Sequence, residues 1–240
     1  MTRATTVLGY LAPVALMLLL VTTSVRVAAN SASLYMWLFE RHGVAASTGI
    51  DEAGLRSVAA QVRDYFNSGQ ESLRVVAPVR GVNTELFRAD EVSHMRHVKV
   101  LMRRAFATQL LAAGFLAITG LVLVHRLRRG ALPHVAAWLR RGALLTVGLV
   151  AGIGLVSLVA FDPLFTLFHR IAFPQGNWTF DPRTSYLVRV FPFGFWQDIT
   201  IAIAGMTLLG SAVSLVAGRW LGRRFATPIR AAASRQADRR

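Results

Sequence analysis

The chain has 240 residues, 54% of them hydrophobic and 16% charged, with a formal net charge of +15 and a mean hydropathy of +0.46. Charged content this far below the usual quarter of a soluble domain reads as a membrane protein, and the lack of cysteine excludes disulfides, thiol catalysis and Cys-based metal centres. Lys99 is the sole lysine, and much of the arginine flanks apolar runs, so membrane lipids rather than nucleic acid are the expected partners of the basic excess.

Residues 1–29 hold the first expected span. Val7 to Val25 is almost unbroken apolar sequence, long enough to cross the hydrocarbon as a helix. It is also longer than the apolar region of a usual cleaved signal peptide, so an uncleaved span is favoured. Residues 30–104 are too polar to span and read as a cap segment leading into the second span. Within it, Tyr35 to Phe39 is an aromatic patch suited to a membrane interface. Asp51 is a helix cap, and Leu55, Val58, Ala59, Val62 and Phe66 follow as an amphipathic stripe that Asn67-Ser68-Gly69 ends. Val75 to Val79 reads as a short extended piece. Asp90 is a candidate cap for a helix through Lys99 that runs on into the span.

Residues 105–125 form the second expected span and 126–141 a basic loop carrying Arg126, Arg128, Arg129, Arg140 and Arg141. The third span, 142–162, is rich in glycine at 142, 148, 152 and 154, which permits close packing on a neighbour. Residues 163–198 are an aromatic, Pro-punctuated loop of the kind that lies at a membrane surface. The fourth span is 199–218, followed by a basic tail, 219–240. The fold class is therefore all-α: four transmembrane helices with a small, mostly helical cap formed by the two non-spanning segments 30–104 and 163–198. The arginine-rich loop and tail place both termini in the cytoplasm and the cap outside the cell membrane.

The two outer segments each bring a histidine close to a span. Glu91, His94, Met95 and Val98 share one helix face, and His169 lies just beyond span three. Two histidines in one cleft can serve as general base and general acid near neutral pH. Two other readings stay open on the residues alone. The histidines are ordinary interfacial residues, or Glu91, His94 and His97, at three-residue steps, bind a metal together with His169. Asn177-Trp178-Thr179 matches a glycosylation acceptor but reads better as part of the aromatic loop. There is no Gly-rich phosphate loop, no G-x-S-x-G and no H-E-x-x-H.

One set of residues narrows this. Phe168-His169, Phe173-Pro174, Trp178-Thr-Phe-Asp-Pro182, Leu187, Phe191-Pro192 and Phe195-Trp196-x-Asp198 resemble the signature of the bacterial membrane family that contains the lipoprotein intramolecular transacylases (Lit). Upstream, Tyr35, Thr48-Gly49-Ile50, Leu55, Tyr65, Phe87, Glu91, His94-Met95 and Val98-Lys99 are similar to it as well. The likeness covers nearly the whole chain except its termini. It departs at His97, where the family pattern carries Asp.

The resemblance implies an acyltransferase that needs no cofactor and no metal. Its substrates would be diacylated bacterial lipoproteins in the membrane. The sn-2 acyl chain of the diacylglyceryl-cysteine would move to that cysteine's own α-amino group, leaving a lyso-form lipoprotein. His94 and His169 would be the catalytic pair. Glu91, His97, Lys99, Asp181 and Asp198 are candidate supporting or orienting groups, and Trp178, Phe180, Tyr186 and Trp196 candidate substrate contacts. The alternatives are a metal-dependent hydrolase of lipid or peptide at the outer leaflet, and a non-catalytic membrane partner protein.

Overall fold

The computed structural model describes residues 3–225, so the sequence-predicted tail beyond 225 lies outside the described residues. In chain order the elements are α1 (Arg3–Asn30), α2 (Ala32–Arg41), α3 (Val44–Thr48), α4 (Glu52–Asn67), β1 (Val76–Val79), β2 (Val82–Glu85), α5 (Ala89–Leu127), a 3-10 turn (Arg128–Ala131), α6 (Leu132–Ala172), α7 (Tyr186–Val190) and α8 (Phe193–Phe225). Four of these, α1, α5, α6 and α8, are long and apolar enough to cross a membrane.

Crossing a hydrocarbon core of about 30 Å takes about 20 helical residues. At 39 and 41 residues, α5 and α6 are about twice that length. The spans expected from the sequence, 105–125 and 142–162, are of that length, and each helix runs on well beyond them. Residues 163–172, expected as loop, are thus the last turns of α6. The helix bends first: Ala160 is non-helical (φ −146°, ψ 45°), three residues before Pro163. Proline there removes a backbone donor and crowds the preceding turn.

Contacts divide the chain into two units. The first takes the described parts of 1–24, 107–154 and 204–240; the second takes 25–106 and 155–203. In the first, Ala12, Leu123, Ala131 and Trp138 form a buried cluster. Gly142 lets α6 close on α1, because a Cβ there would lie 2.8 Å from the Pro13 carbonyl oxygen. Gly218 does the same for α8 on α6, with the Ala136 carbonyl oxygen 2.9 Å away. The other three glycines of the third span, 148, 152 and 154, meet nothing within 4 Å.

The second unit carries the cap elements. Asp51 caps α4, its Oδ1 accepting from the Gly54 amide at 2.7 Å, and Leu55, Val58, Ala59, Val62, Tyr65 and Phe66 are buried along one face. The extended piece at 75–79 pairs with a second strand through a tight Arg80-Gly81 turn. Both turn residues have positive φ (49° and 84°), the conformation that matches strand twist in a two-residue hairpin. Gln61 fastens β1 to α4 by bonding both the carbonyl and the amide of Val76 at 3.0 Å. The 35–39 patch is not an interfacial surface as a whole. Tyr35 and Phe39 are buried, their rings 5.9–6.3 Å from those of Phe191 and Phe195, and only Trp37 of the three aromatic residues is exposed. This aromatic knot, within one unit, joins α2 to the start of α8.

Candidate active site

Glu91 organises the site's framework. It is fully buried in the first turn of α5. Its Oε2 accepts from the Arg88 amide at 2.7 Å, reaching back to the residue before the helix as the acidic member of a capping box does. Its Oε1 accepts from the Ser185 hydroxyl and, at 3.1 Å, from the Leu187 amide. Ser185 in turn caps α7 through the Val188 amide. Arg88 adds a guanidinium bond to the Thr184 carbonyl at 2.7 Å. No ion pair to Glu91 occurs among the described residues; two amides and a hydroxyl satisfy its side chain, which pins 184–188 onto the start of α5. Nothing in the sequence spacing linked Glu91 to Ser185, although a serine before the apolar run Tyr186–Val190 is a helix-start signal.

One turn on from Glu91 lies His94. It is 7% exposed, and its ring stacks near-parallel (21°) to that of His169 with centroids 6.2 Å apart. Two hydrogen bonds of about 3 Å each span a similar distance, so a single reacting centre can address both rings. His169, 9% exposed, is oriented by its own helix: its Nδ1–H donates to the Phe165 carbonyl at 2.8 Å. That bond fixes the tautomer and leaves the Nε2 lone pair free to take a proton. His94 Nδ1 is buried and has no hydrogen-bond partner among the described residues. A buried polar atom left unpaired is costly.

Aromatic rings enclose the pair. His169 has Phe165 at 4.1 Å, Trp178 and Phe168 at 5.2 Å and Phe173 at 5.4 Å; His94 has Phe173 at 4.9 Å and Phe180 at 5.7 Å. Both histidines lie outside the spans expected from the sequence, 105–125 and 142–162, and both have lowered pKa values. Burial, followed by the charges that His169 and His97 would carry, brings His94 down to about 4. Burial also lowers His169, against the opposing effect of its bond to Phe165. Both rings are neutral at neutral pH.

The other sequence-predicted residues divide into near and far. Trp178 and Phe180 belong to the ring shell. His97 lies one turn beyond His94 and faces Asn177, whose amide nitrogen is 3.3 Å from His97 Nδ1 and from the Ser93 hydroxyl. Asn177 is a neighbour the sequence reading passed over. Lys99 points elsewhere: its Nζ donates to the Gln70 carbonyl at 2.5 Å and sits 4.1 Å over the Tyr65 ring. Asp181 shapes its own turn, accepting from the Arg183 amide and guanidinium. Asp198 joins α2 to α8 through Arg41 (2.6 Å) and His42 (3.0 Å); burial would raise its carboxyl, but these bonds hold it below the usual range. The Tyr186 ring is covered by Arg189 at 4.0 Å, and the Trp196 indole N–H donates to the Phe191 carbonyl.

The metal alternative needs three converging ligands, and no group of three His, Asp or Glu suited to a metal occurs among the described residues. Glu91 is spent on Arg88, Ser185 and Leu187, and His97 turns to Asn177.

The family model described as lipoprotein intramolecular transacylase Lit matches residues 10–196. A crystal structure of the membrane integral lipoprotein intramolecular transacylase Lit from Bacillus cereus superposes with a TM-score of 0.79 at 15% identity, covering 93% of this chain and 98% of that one. A variant of the same protein with one histidine replaced by arginine gives 0.74 at 15% identity, covering 92% and 93%. At that identity the structures speak to the fold. An uncharacterised protein of Aquifex aeolicus is 26% identical over 139 residues, which span 58% of this chain and 59% of that protein's length.

Proposed function

The chain belongs to the lipoprotein intramolecular transacylase Lit family, and from that premise we propose that it moves the sn-2 acyl chain of a diacylglyceryl-cysteine onto that cysteine's α-amino group. The observation that carries the reading is the enclosed pair of histidines, one with a fixed lone pair and one with an unpartnered ring nitrogen. The reaction needs little more. Amine and ester belong to one molecule, and holding them together removes several kcal/mol of barrier.

The proton path assigns the roles. The α-amine, with an ordinary pKa near 8, attacks the ester carbonyl carbon and passes a proton to His169 Nε2. The new C–N bond gives a tetrahedral intermediate whose oxyanion is stabilised by the N–H that neutral His94 retains. The C–O bond to the sn-2 oxygen then breaks, and that oxygen takes the proton from His169. The amide and the free sn-2 hydroxyl leave together as the lyso-form lipoprotein, and His169 is neutral again. No enzyme atom is acylated. Trp178 and Phe180 contact the substrate beside the rings and keep water from the ester. Glu91 acts as a positioning residue by holding the start of α5 against Ser185 and Leu187.

The basic stretch 126–141 and the arginines after 218 support cytoplasmic termini, with the histidine pair at the extracytoplasmic face of the cell membrane. There the partners would be lipoproteins already carrying two acyl chains. A reporter lipoprotein expressed with this chain, in cells lacking other N-acylating activity, provides the test. Mass spectrometry of its N-terminal lipopeptide should find an acyl chain moved from glycerol to nitrogen at unchanged mass. His94→Ala and His169→Ala should each lose that product. Well-expressed wild-type chain that leaves the acyl groups in place overturns the proposal.

A further inference from the structure

A pocket of about 240 Å³ begins at His97, one helical turn from His94, and is not used by the acyl transfer. One wall is a single face of α5, formed by His97, Val100, Leu101 and Arg104; the other is Ala172, Pro174 and Gln175 at and beyond the end of α6. We propose that this pocket binds the phosphate of a membrane glycerophospholipid.

Arg104 carries most of the argument. Among the described residues it has no ion pair or hydrogen bond, and it is the one cation on the pocket's walls besides the ionisable His97. It sits directly before the span expected from the sequence, 105–125, and on that reading meets the bilayer's phosphates, where arginine favours anionic headgroups. His97 and Gln175, both already bonded to Asn177, make the pocket wall polar beside Arg104, and Val100 and Leu101 supply apolar surface along which acyl chains can run. The diacylglyceryl-cysteine has no phosphate, so the proposed substrate leaves this cation without an anion. Arg104 lies ten residues past His94 towards the hydrocarbon, roughly 15 Å along the helix. A lipoprotein's peptide leaves the membrane the other way, which favours a lipid over a peptide as the occupant.

The test is binding, read without turnover, so its outcome does not depend on the acyl-transfer proposal. The full chain in mild detergent is titrated with a phosphatidylglycerol and, separately, with a diacylglycerol of the same chains, and bound lipid is counted by native mass spectrometry. One phosphatidylglycerol should be retained and the diacylglycerol should not. Arg104→Ala should weaken retention about fivefold or more, and Arg104→Lys should recover part of it. Because the Arg104 side chain is exposed, both variants should melt with the wild type. Equal retention of the diacylglycerol, or undiminished binding by Arg104→Ala, overturns the proposal. So does inorganic phosphate binding as tightly as the lipid, which would mark a free-anion site. Displacement of the lipid by a soluble acidic peptide, dependent on Arg104, would assign the pocket to a protein chain instead.

Discussion

Replacing Glu91 tests whether a residue that touches no reacting atom holds the site together. In Glu91→Ala the Arg88 and Leu187 amides and the Ser185 hydroxyl all lose their acceptor. A buried donor left unpaired costs about 1–3 kcal/mol. The hydroxyl can rotate to another partner, so the two amides and the lost packing set a penalty of about 3–6 kcal/mol. Against a usual total stability of about 5–15 kcal/mol, that is a large share, and for a chain of this size it lowers the melting temperature by roughly 10–20 °C. Glu91→Gln keeps one acceptor oxygen but turns an NH2 towards a donor, for about half the loss. Tryptophan-fluorescence melting in detergent and transacylation of a synthetic lipopeptide report the two consequences. Glu91→Ala should melt early and lose activity even well below its melting point, because 184–188 no longer stays fixed to α5. Glu91→Gln should fall between it and the wild type. An alanine variant that melts with the wild type and keeps its rate would refute the role given to Glu91.

Other expectations follow from the same geometry. Removing either histidine should cost about 10²–10⁴ in rate with little change in melting temperature, measured on His94→Ala and His169→Ala. The rate should rise with pH through about 8, following the substrate amine, and any histidine step should fall below 6.5, because burial lowers both rings; an acid limb centred at or above 6.5 would contradict the lowered pKa values. Stability has its own dependence. The unfolded chain protonates His94 near 6.5 and the folded chain near 4, so the unfolded state binds more protons between those values. Stability should therefore be fully present above 6.5 and fall, by up to about 3 kcal/mol, as pH drops to 4. In the spans, Gly142→Ala should destabilise by about 1–3 kcal/mol by driving a Cβ against Pro13 and Leu16. Gly152→Ala, with open space around it, should leave the melting temperature unchanged or raise it slightly.

The membrane spans were legible because hydropathy is a local property, and α4 because its apolar stripe repeats at helical spacing. What local pattern could not show is contact over long separations. Tyr35 and Phe39 read as an interfacial patch because their partners, Phe191 and Phe195, are some 150 positions away. Glu91 read as a possible ligand or orienting group because Ser185 and Leu187 are more than 90 positions away. The third span was read as ending at 162, yet the helix bends at Ala160 and resumes, which puts His169 on a helix that orients its own ring through Phe165. The glycines of the third span looked alike in sequence, but only Gly142 meets a neighbouring helix. His94 and His169 were nominated by the family resemblance, and the fold stacks them; their spacing alone did not separate them from ordinary interfacial histidines.

Whether the acyl chain travels within one molecule is open to a double-label experiment. Purified chain is given two synthetic diacylglyceryl-cysteinyl peptides together, one with a heavy sn-2 chain and a light peptide, the other with a light chain and a heavy peptide, with and without a metal chelator. Direct attack of the amine on its own ester predicts two N-acyl products that keep their original pairings, at the same rate in chelator. Products with exchanged labels would show that the acyl group passes between molecules or through the enzyme, and would contradict the mechanism drawn from the histidine pair.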